Sequence, residues 1–183
     1  MQLLTTKISE DAAYLLPIGD LHIGDRAFKG KGKAKLLENL QWARESKKHP
    51  AKIFLMGDIF NIAGRNTKTS PFESDPDEIL EAEDIFGPYR DLIVGAVYGN
   101  HERRVKEQFG YDPLKVFCRH LDIPYAASSC IFKMQVGKRE DSDSYWQTYH
   151  FYIHHGTGGG GTMGNALNVC YKLERIADGC DGY

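Results

Sequence analysis

The chain predicts an α/β fold from three observations: short apolar runs that end in Gly-Asp or Gly-Asn, helical segments between them, and a later pair of β-type runs. Ala12 to Ile18 is the first such run, too short for a helix, and delivers Gly19-Asp20 into a loop. From Lys33 to Lys47, Leu36, Leu37, Leu40 and Trp42 recur near one helical face, and Pro50 closes that helix. Lys52 to Met56 repeats the strand pattern and ends in Gly57-Asp58.

Ala63 to Ser74 is polar and reads as a loop, followed by a helix with Asp75 at the N-cap, Pro76 in its first turn and Glu78 completing a capping box, running to about Phe86. Leu92 to Tyr98 is a third strand, ending in Gly99-Asn100-His101, and Asp112-Pro113 caps a helix toward His120. Ile131 to Val136 and Trp146 to His154 read as an antiparallel hairpin joined by the charged stretch 138–144, with aromatic residues on both sides of the second strand implying burial of both faces. A glycine run, Gly156 to Gly164, leads to a last helix from Asn165 to Ala177.

With 183 residues, 42% of them hydrophobic, the chain suits one domain over residues 1–183. A formal net charge of −2 excludes a strongly basic balance that would draw the whole chain to nucleic acid or an anionic membrane. Charges interrupt every hydrophobic stretch and the N-terminus lacks a signal-peptide pattern, so the expectation is a cytoplasmic protein with no membrane partner. Cys118, Cys130, Cys170 and Cys180 have no metal-ribbon or disulfide spacing and are expected to be reduced.

The chemistry gathers at the strand ends, where an open α/β sheet collects its functional loops: Asp20 and His22, then Asp58, then Asn100 and His101. In Asp20-Leu21-His22 an extended chain would project the carboxylate and imidazole to one side while Leu21 anchors the loop. Carboxylate with imidazole suits manganese, iron or zinc better than calcium. Asp58 adds the negative charge that two adjacent divalent cations require. Any one of these motifs alone is most simply a turn or helix cap; their joint order is what carries weight.

Gly19-Asp20-Leu21-His22, Gly57-Asp58-Ile59-Phe60-Asn61 and Gly99-Asn100-His101-Glu102 resemble, in order and separation, the DxH, GDxxN and GNHE motifs of the calcineurin-like metallophosphoesterases. His154-His155-Gly156 resembles the family's fourth motif, with His155 favoured over His154 because it immediately precedes the glycine. The resemblance spans Tyr14 to Tyr183. It implies a β-sandwich flanked by helices (α-β-β-α) and a dinuclear site for two divalent ions, manganese favoured over iron, zinc or nickel. Asp20 and His22 would bind the first metal, Asp58 would bridge, and Asn100 and His155 would bind the second. His101 would contact the phosphate and protonate the leaving oxygen, while a hydroxide between the metals attacks phosphorus.

The family's closing GHxH motif is absent, so the expectation is a C-terminally incomplete domain lacking its last strands, with three ligands left to each metal. The expected activity is phosphoester hydrolysis, first of phosphodiesters, on a nucleotide or nucleic acid; small phage and bacterial members are the nearest analogy. The rival expectation is a non-catalytic metal-binding or interaction module of the same fold. A sheet edge exposed by the missing strands would favour a homo-oligomer. Gly156 to Gly161 formally satisfies GxGxxG, but no second mononucleotide unit follows it, and its backbone N–H groups are better placed near a substrate phosphate. The lysine-rich stretch 29–35 and Arg103-Arg104 read as solvated faces that are also candidates for steering an anion. His49, His120 and His150 have no supporting motif.

Overall fold

The computed structural model describes residues 1–62, 77–140, 142–156 and 179–182. It is a mixed α/β arrangement of two three-stranded sheets with four α-helices among the described residues. The elements are β1 (Gln2–Ile8), β2 (Tyr14–Ile18), α1 (Lys33–Glu45), β3 (Ala51–Leu55), α2 (Glu78–Phe86), β4 (Ile93–Ala96), α3 (Asn100–Phe109), α4 (Pro113–His120), β5 (Ser129–Lys138) and β6 (Tyr145–His154).

The parallel sheet runs β2-β3-β4, and in β3 the side chains alternate between two cores. Ile53 and Leu55 face the helices with Leu40, Phe86 and Phe117; Phe54 faces the other sheet and meets Phe132 of β5 at 5.3 Å between ring centroids. The second sheet runs β1-β5-β6, with β1 parallel to β5 and β5 antiparallel to β6 as the hairpin reading requires. Helices, parallel sheet and mixed sheet are therefore held by two successive apolar layers. Among the described residues, no helix contributes to the apolar layer that the mixed sheet shares with the parallel one.

The strand ends match the sequence expectation closely; several other features do not. In α1, Leu36 and Leu40 are buried, but Trp42 is 48% exposed and Leu37 is exposed too, because 3.6 residues per turn carries them off the core-facing stripe. Trp42 instead packs on Tyr14 at the surface. Asp75 and Pro76 lie outside the described residues; α2 has Asp77 at its N-cap and Glu78 in the first helical position, buried beside Gly24, which is not a capping-box position. The burial expected on both faces of β6 holds only toward its end: Tyr152 and Ile153 are buried while Trp146 is 64% exposed, its indole covered by Arg139 at 4.2 Å.

β1 and α3 were not expected from the sequence. The loop 63–74, the glycine run from 157 and the helix 165–177 lie outside the described residues. Part of the β6 edge is occupied by the chain itself: the Tyr152 N–H donates to the Gly182 carbonyl at 3.0 Å and the His150 N–H to the Asp181 carboxylate at 2.7 Å. Cys118, Cys130 and Cys180 are free thiols. No described helix is long and apolar enough to cross a membrane.

Candidate metal centre

Beyond the ends of β2 and β3 the two loops continue side by side. The Asp20 N–H donates to the Gly57 carbonyl at 3.0 Å, His22 N–H to Asp58 at 3.0 Å and Ile23 N–H to Ile59 at 2.8 Å. Burial of Ile23, Ile59 and Phe60 anchors the far side of both loops. The chain that results is not the extended one expected for Asp20-Leu21-His22. Asp20, His22 and Asp58 all have left-handed backbone, with φ of 52°, 49° and 48°. Each such residue costs about 1 kcal/mol, offset here by the cross-loop hydrogen bonds. Of the five described non-glycine residues with left-handed backbone, three are these candidate ligands. Leu21 packs against the helix-side core, which is the anchoring role expected of it.

Close backbone approach explains two of the glycines. A Cβ on Gly57, at φ 83°, would lie 2.3 Å from the Gly99 nitrogen, and one on Gly99 would lie 2.1 Å from Oδ1 of Asp58. The loop after β3 and the start of α3 are thus in backbone contact.

Glu102 locks that contact. It is fully buried, and its carboxylate accepts four backbone N–H bonds: Asp58 at 3.0 Å and Gly99 at 2.9 Å on one oxygen, Ile59 at 2.7 Å and Phe60 at 3.2 Å on the other. Burial pushes its pKa up, and the backbone donors oppose that shift. With donors converging on both oxygens, the anion is the form the surroundings accommodate. Sequence pattern assigns Glu102 no role of its own; the signal it does carry is a glutamate three residues after an N-cap glycine, the capping-box position.

Asp58 is 3% exposed and stands at the centre. Its Oδ1 accepts the His101 N–H at 2.8 Å, a free donor of the first turn of α3, and its Oδ2 lies 3.2 Å from Nε2 of His155. Burial would raise the Asp58 pKa, but the hydrogen bonds from His155 and His101 outweigh it and hold the carboxyl below its usual range. The other ring nitrogen of His155, Nδ1, donates to the Met56 carbonyl at 2.6 Å, which leaves Nε2 as the nitrogen facing Asp58. The Asp58 hydrogen bond lifts the His155 pKa to about 9. A protonated imidazole therefore balances Asp58 where a metal cation would otherwise do so.

Two donor groups meet at Asp58. One is His22, Asp58 and His101; the other is Asp20, Asp58 and His155; in each, the ligand atoms lie within 4.8 Å of one another. Asp58 is common to both, the position the sequence reading assigned to a bridge. The pairing of the rest differs from that reading: His22 sits with His101, their rings 4.6 Å apart edge to face, and Asp20 sits with His155. The two residues of the first motif still lie close, 3.9 Å from His22 Nε2 to Asp20 Oδ1. His101 is brought in as a potential ligand, although the resemblance implied a proton donor. Burial lowers its pKa and the Asp58 charge partly restores it; its Nδ1 is buried with no hydrogen-bond partner.

Asn100, the first residue of α3, shares a cleft of about 720 Å³ with His155, His154, Arg103 and Arg104. A smaller cleft is lined by Asp20, His22, Asn61 and His101 among others. Asn61, which the sequence reading gave no role, is buried with its amide nitrogen lacking a partner. His154 accepts the Gly156 N–H on Nδ1 and stacks on Tyr152, so it is outside both donor groups. Carboxylates and imidazoles converging with a buried ring nitrogen left without a partner fit a borderline divalent cation.

No protein-family model matches the chain, and no curated protein and no solved structure matches it.

Proposed function

We propose that this chain is a metal-dependent phosphoester hydrolase with a dinuclear site, acting on phosphodiesters. The observation that carries the reading is Asp58: a buried carboxylate, strained in its backbone and common to two donor groups, at the junction of three strand-end loops. Asp20, His22, Asp58, Asn100 and His155 would hold two divalent ions, with manganese preferred. Such ions supply Lewis-acid polarisation of a phosphoryl oxygen and offset the negative charge that develops there.

The chain's own groups do the rest. Glu102 fixes the loop bearing Asp58, so the carboxylate is preorganised before substrate arrives. The Met56 carbonyl fixes the tautomer of His155. His101 is the group we assign to proton transfer onto the leaving oxygen. Burial favours its neutral form, while a phosphate anion beside it would add to the Asp58 charge that favours the protonated one.

The test is hydrolysis of bis(p-nitrophenyl) phosphate with added manganese, alongside the metal content of the protein after dialysis. Turnover in the native chain that is lost in Asp58→Ala supports the reading. Rates equal to the Asp58→Ala control sink it; if metal were nevertheless retained, the non-catalytic module would be the reading left standing.

A further inference from the structure

We propose that Arg104 is the specificity-determining residue of this site and that it selects a substrate offering a single phosphate group, a small phosphodiester in place of a polynucleotide; this rests on the hydrolase reading above. His101 and Arg104 are three residues apart on α3, so they lie on the same side of the helix, one turn from each other. Arg104 lines the larger cleft with Asn100 and His155, two of the residues assigned to the metals.

Its neighbours are already committed. Arg103, in the same cleft, is paired to Glu107 at 3.3 Å. Lys106 is paired to Asp112 at 3.2 Å and lies 4.9 Å over the Tyr98 ring. Arg104 is exposed and makes no ion pair or hydrogen bond among the described residues. Its charge is nonetheless felt at His101. Among its described residues the cleft therefore carries one cation without an ion pair, and a guanidinium is suited to holding two non-bridging oxygens of one phosphate.

A polynucleotide is bound differently, through several phosphates each matched to a lysine or arginine. In the lysine-rich stretch near residue 30, two of the four lysines are already in ion pairs, Lys33 with Glu81 at 2.6 Å and Lys35 with Glu38 at 2.9 Å, which shortens any such row there. The cleft volume of about 720 Å³ is that of a small-molecule site.

The test uses manganese-loaded protein and two readouts, steady-state hydrolysis of bis(p-nitrophenyl) phosphate and calorimetric binding of inorganic phosphate. Arg104→Ala is expected to raise KM and weaken phosphate binding by about tenfold each, with kcat little changed, the loss of one charge-assisted contact. Arg104→Lys should recover part of both, since it restores the charge without the fork. Thermal unfolding of each variant should match the native chain, because the side chain is exposed. An oligothymidylate should inhibit no better than thymidine monophosphate. Equal phosphate affinity in the native chain and Arg104→Ala would overturn the assignment of Arg104, and an oligothymidylate that inhibits more than about tenfold better would overturn the single-phosphate substrate. Absence of turnover in the native chain would sink the hydrolase reading separately, since weakened phosphate binding in Arg104→Ala would still support the clamp.

Discussion

The loop Gly57 to Phe60 and the loop Gly19 to His22 run side by side at the ends of adjacent strands, share left-handed backbone at their candidate ligands, and yet are held in opposite ways. In the first, a fully buried Glu102 accepts N–H groups from three successive residues, and Asp58 is itself buried between His101 and His155. In the second, the Asp20 side chain is 73% exposed and its contact with His22 spans 3.9 Å. Half of the candidate centre is thus preorganised by the protein, while the other half has side chains that would be free to close on the proposed cation. Loss of stability and loss of metal affinity should therefore separate between the two loops.

The sharpest way to break that contrast is Glu102→Ala, which strands four buried N–H donors. Urea denaturation should show a loss on the order of 4 kcal/mol, enough to threaten folding, and Glu102→Gln should lose roughly half as much because one oxygen remains. If Glu102→Ala unfolds like the native chain, the locking role is wrong.

Next is Gly99→Ala, whose methyl would fall on the Asp58 carboxylate. About 2–3 kcal/mol should be lost as the loop and α3 move apart, together with measurable manganese binding by calorimetry. Retained metal affinity would mean that the close approach is incidental.

The His155–Asp58 pair makes a pH signature. His155 has a folded pKa raised to about 9 from its ordinary 6.5, so in the metal-free protein its contribution is complete below 6.5 and disappears as pH rises through about 9. Asp58 is shifted the other way, and its contribution is present above the normal carboxylate pKa and lost as pH falls through its depressed folded value. His155→Ala should remove on the order of 1–3 kcal/mol near pH 6 and flatten the decline between pH 6.5 and 9, read from thermal midpoints across pH. A decline of undiminished slope in that variant would count against the pairing.

The smallest effect on folding belongs to Asp20→Asn. Asparagine tolerates left-handed backbone and the site is exposed, so stability should change by less than about 0.5 kcal/mol. Manganese affinity should still fall by about tenfold or more, since removing a ligand costs at least as much as disturbing its support. A matched loss of stability and affinity would erase the distinction between the two loops.

Much of this arrangement was legible in the residues, and for a physical reason. Short apolar runs ending in glycine plus Asp or Asn encode β2, β3 and β4: burial of β3 and β4 demands continuous hydrophobicity, the edge strand β2 is only partly buried, and the turn demands glycine. The hairpin β5-β6 and the Asp112 cap, with its 3.0 Å bond from Lys115, follow from equally local signals. Leu37 and Trp42 show where local pattern fails, since which stripe of a helix meets the core depends on its docking. β1 has no punctuation of its own and owes its place to pairing with β5, 128 residues on at Gln2 and Cys130.

The chain by itself determined the identities and spacing of Asp20, His22, Asp58, Asn100, His101 and His155, and so the kind of chemistry they are suited to. Only the tertiary structure decided which of them face one another. It also made Glu102 the lock and put His155 rather than His154 against Asp58. Those choices depend on hydrogen bonds between residues some forty to a hundred positions apart, 44 for Asp58 with Glu102 and 99 for Met56 with His155. No local pattern carries such distances; they arise when two sheets and a helix terminus pack around one buried carboxylate.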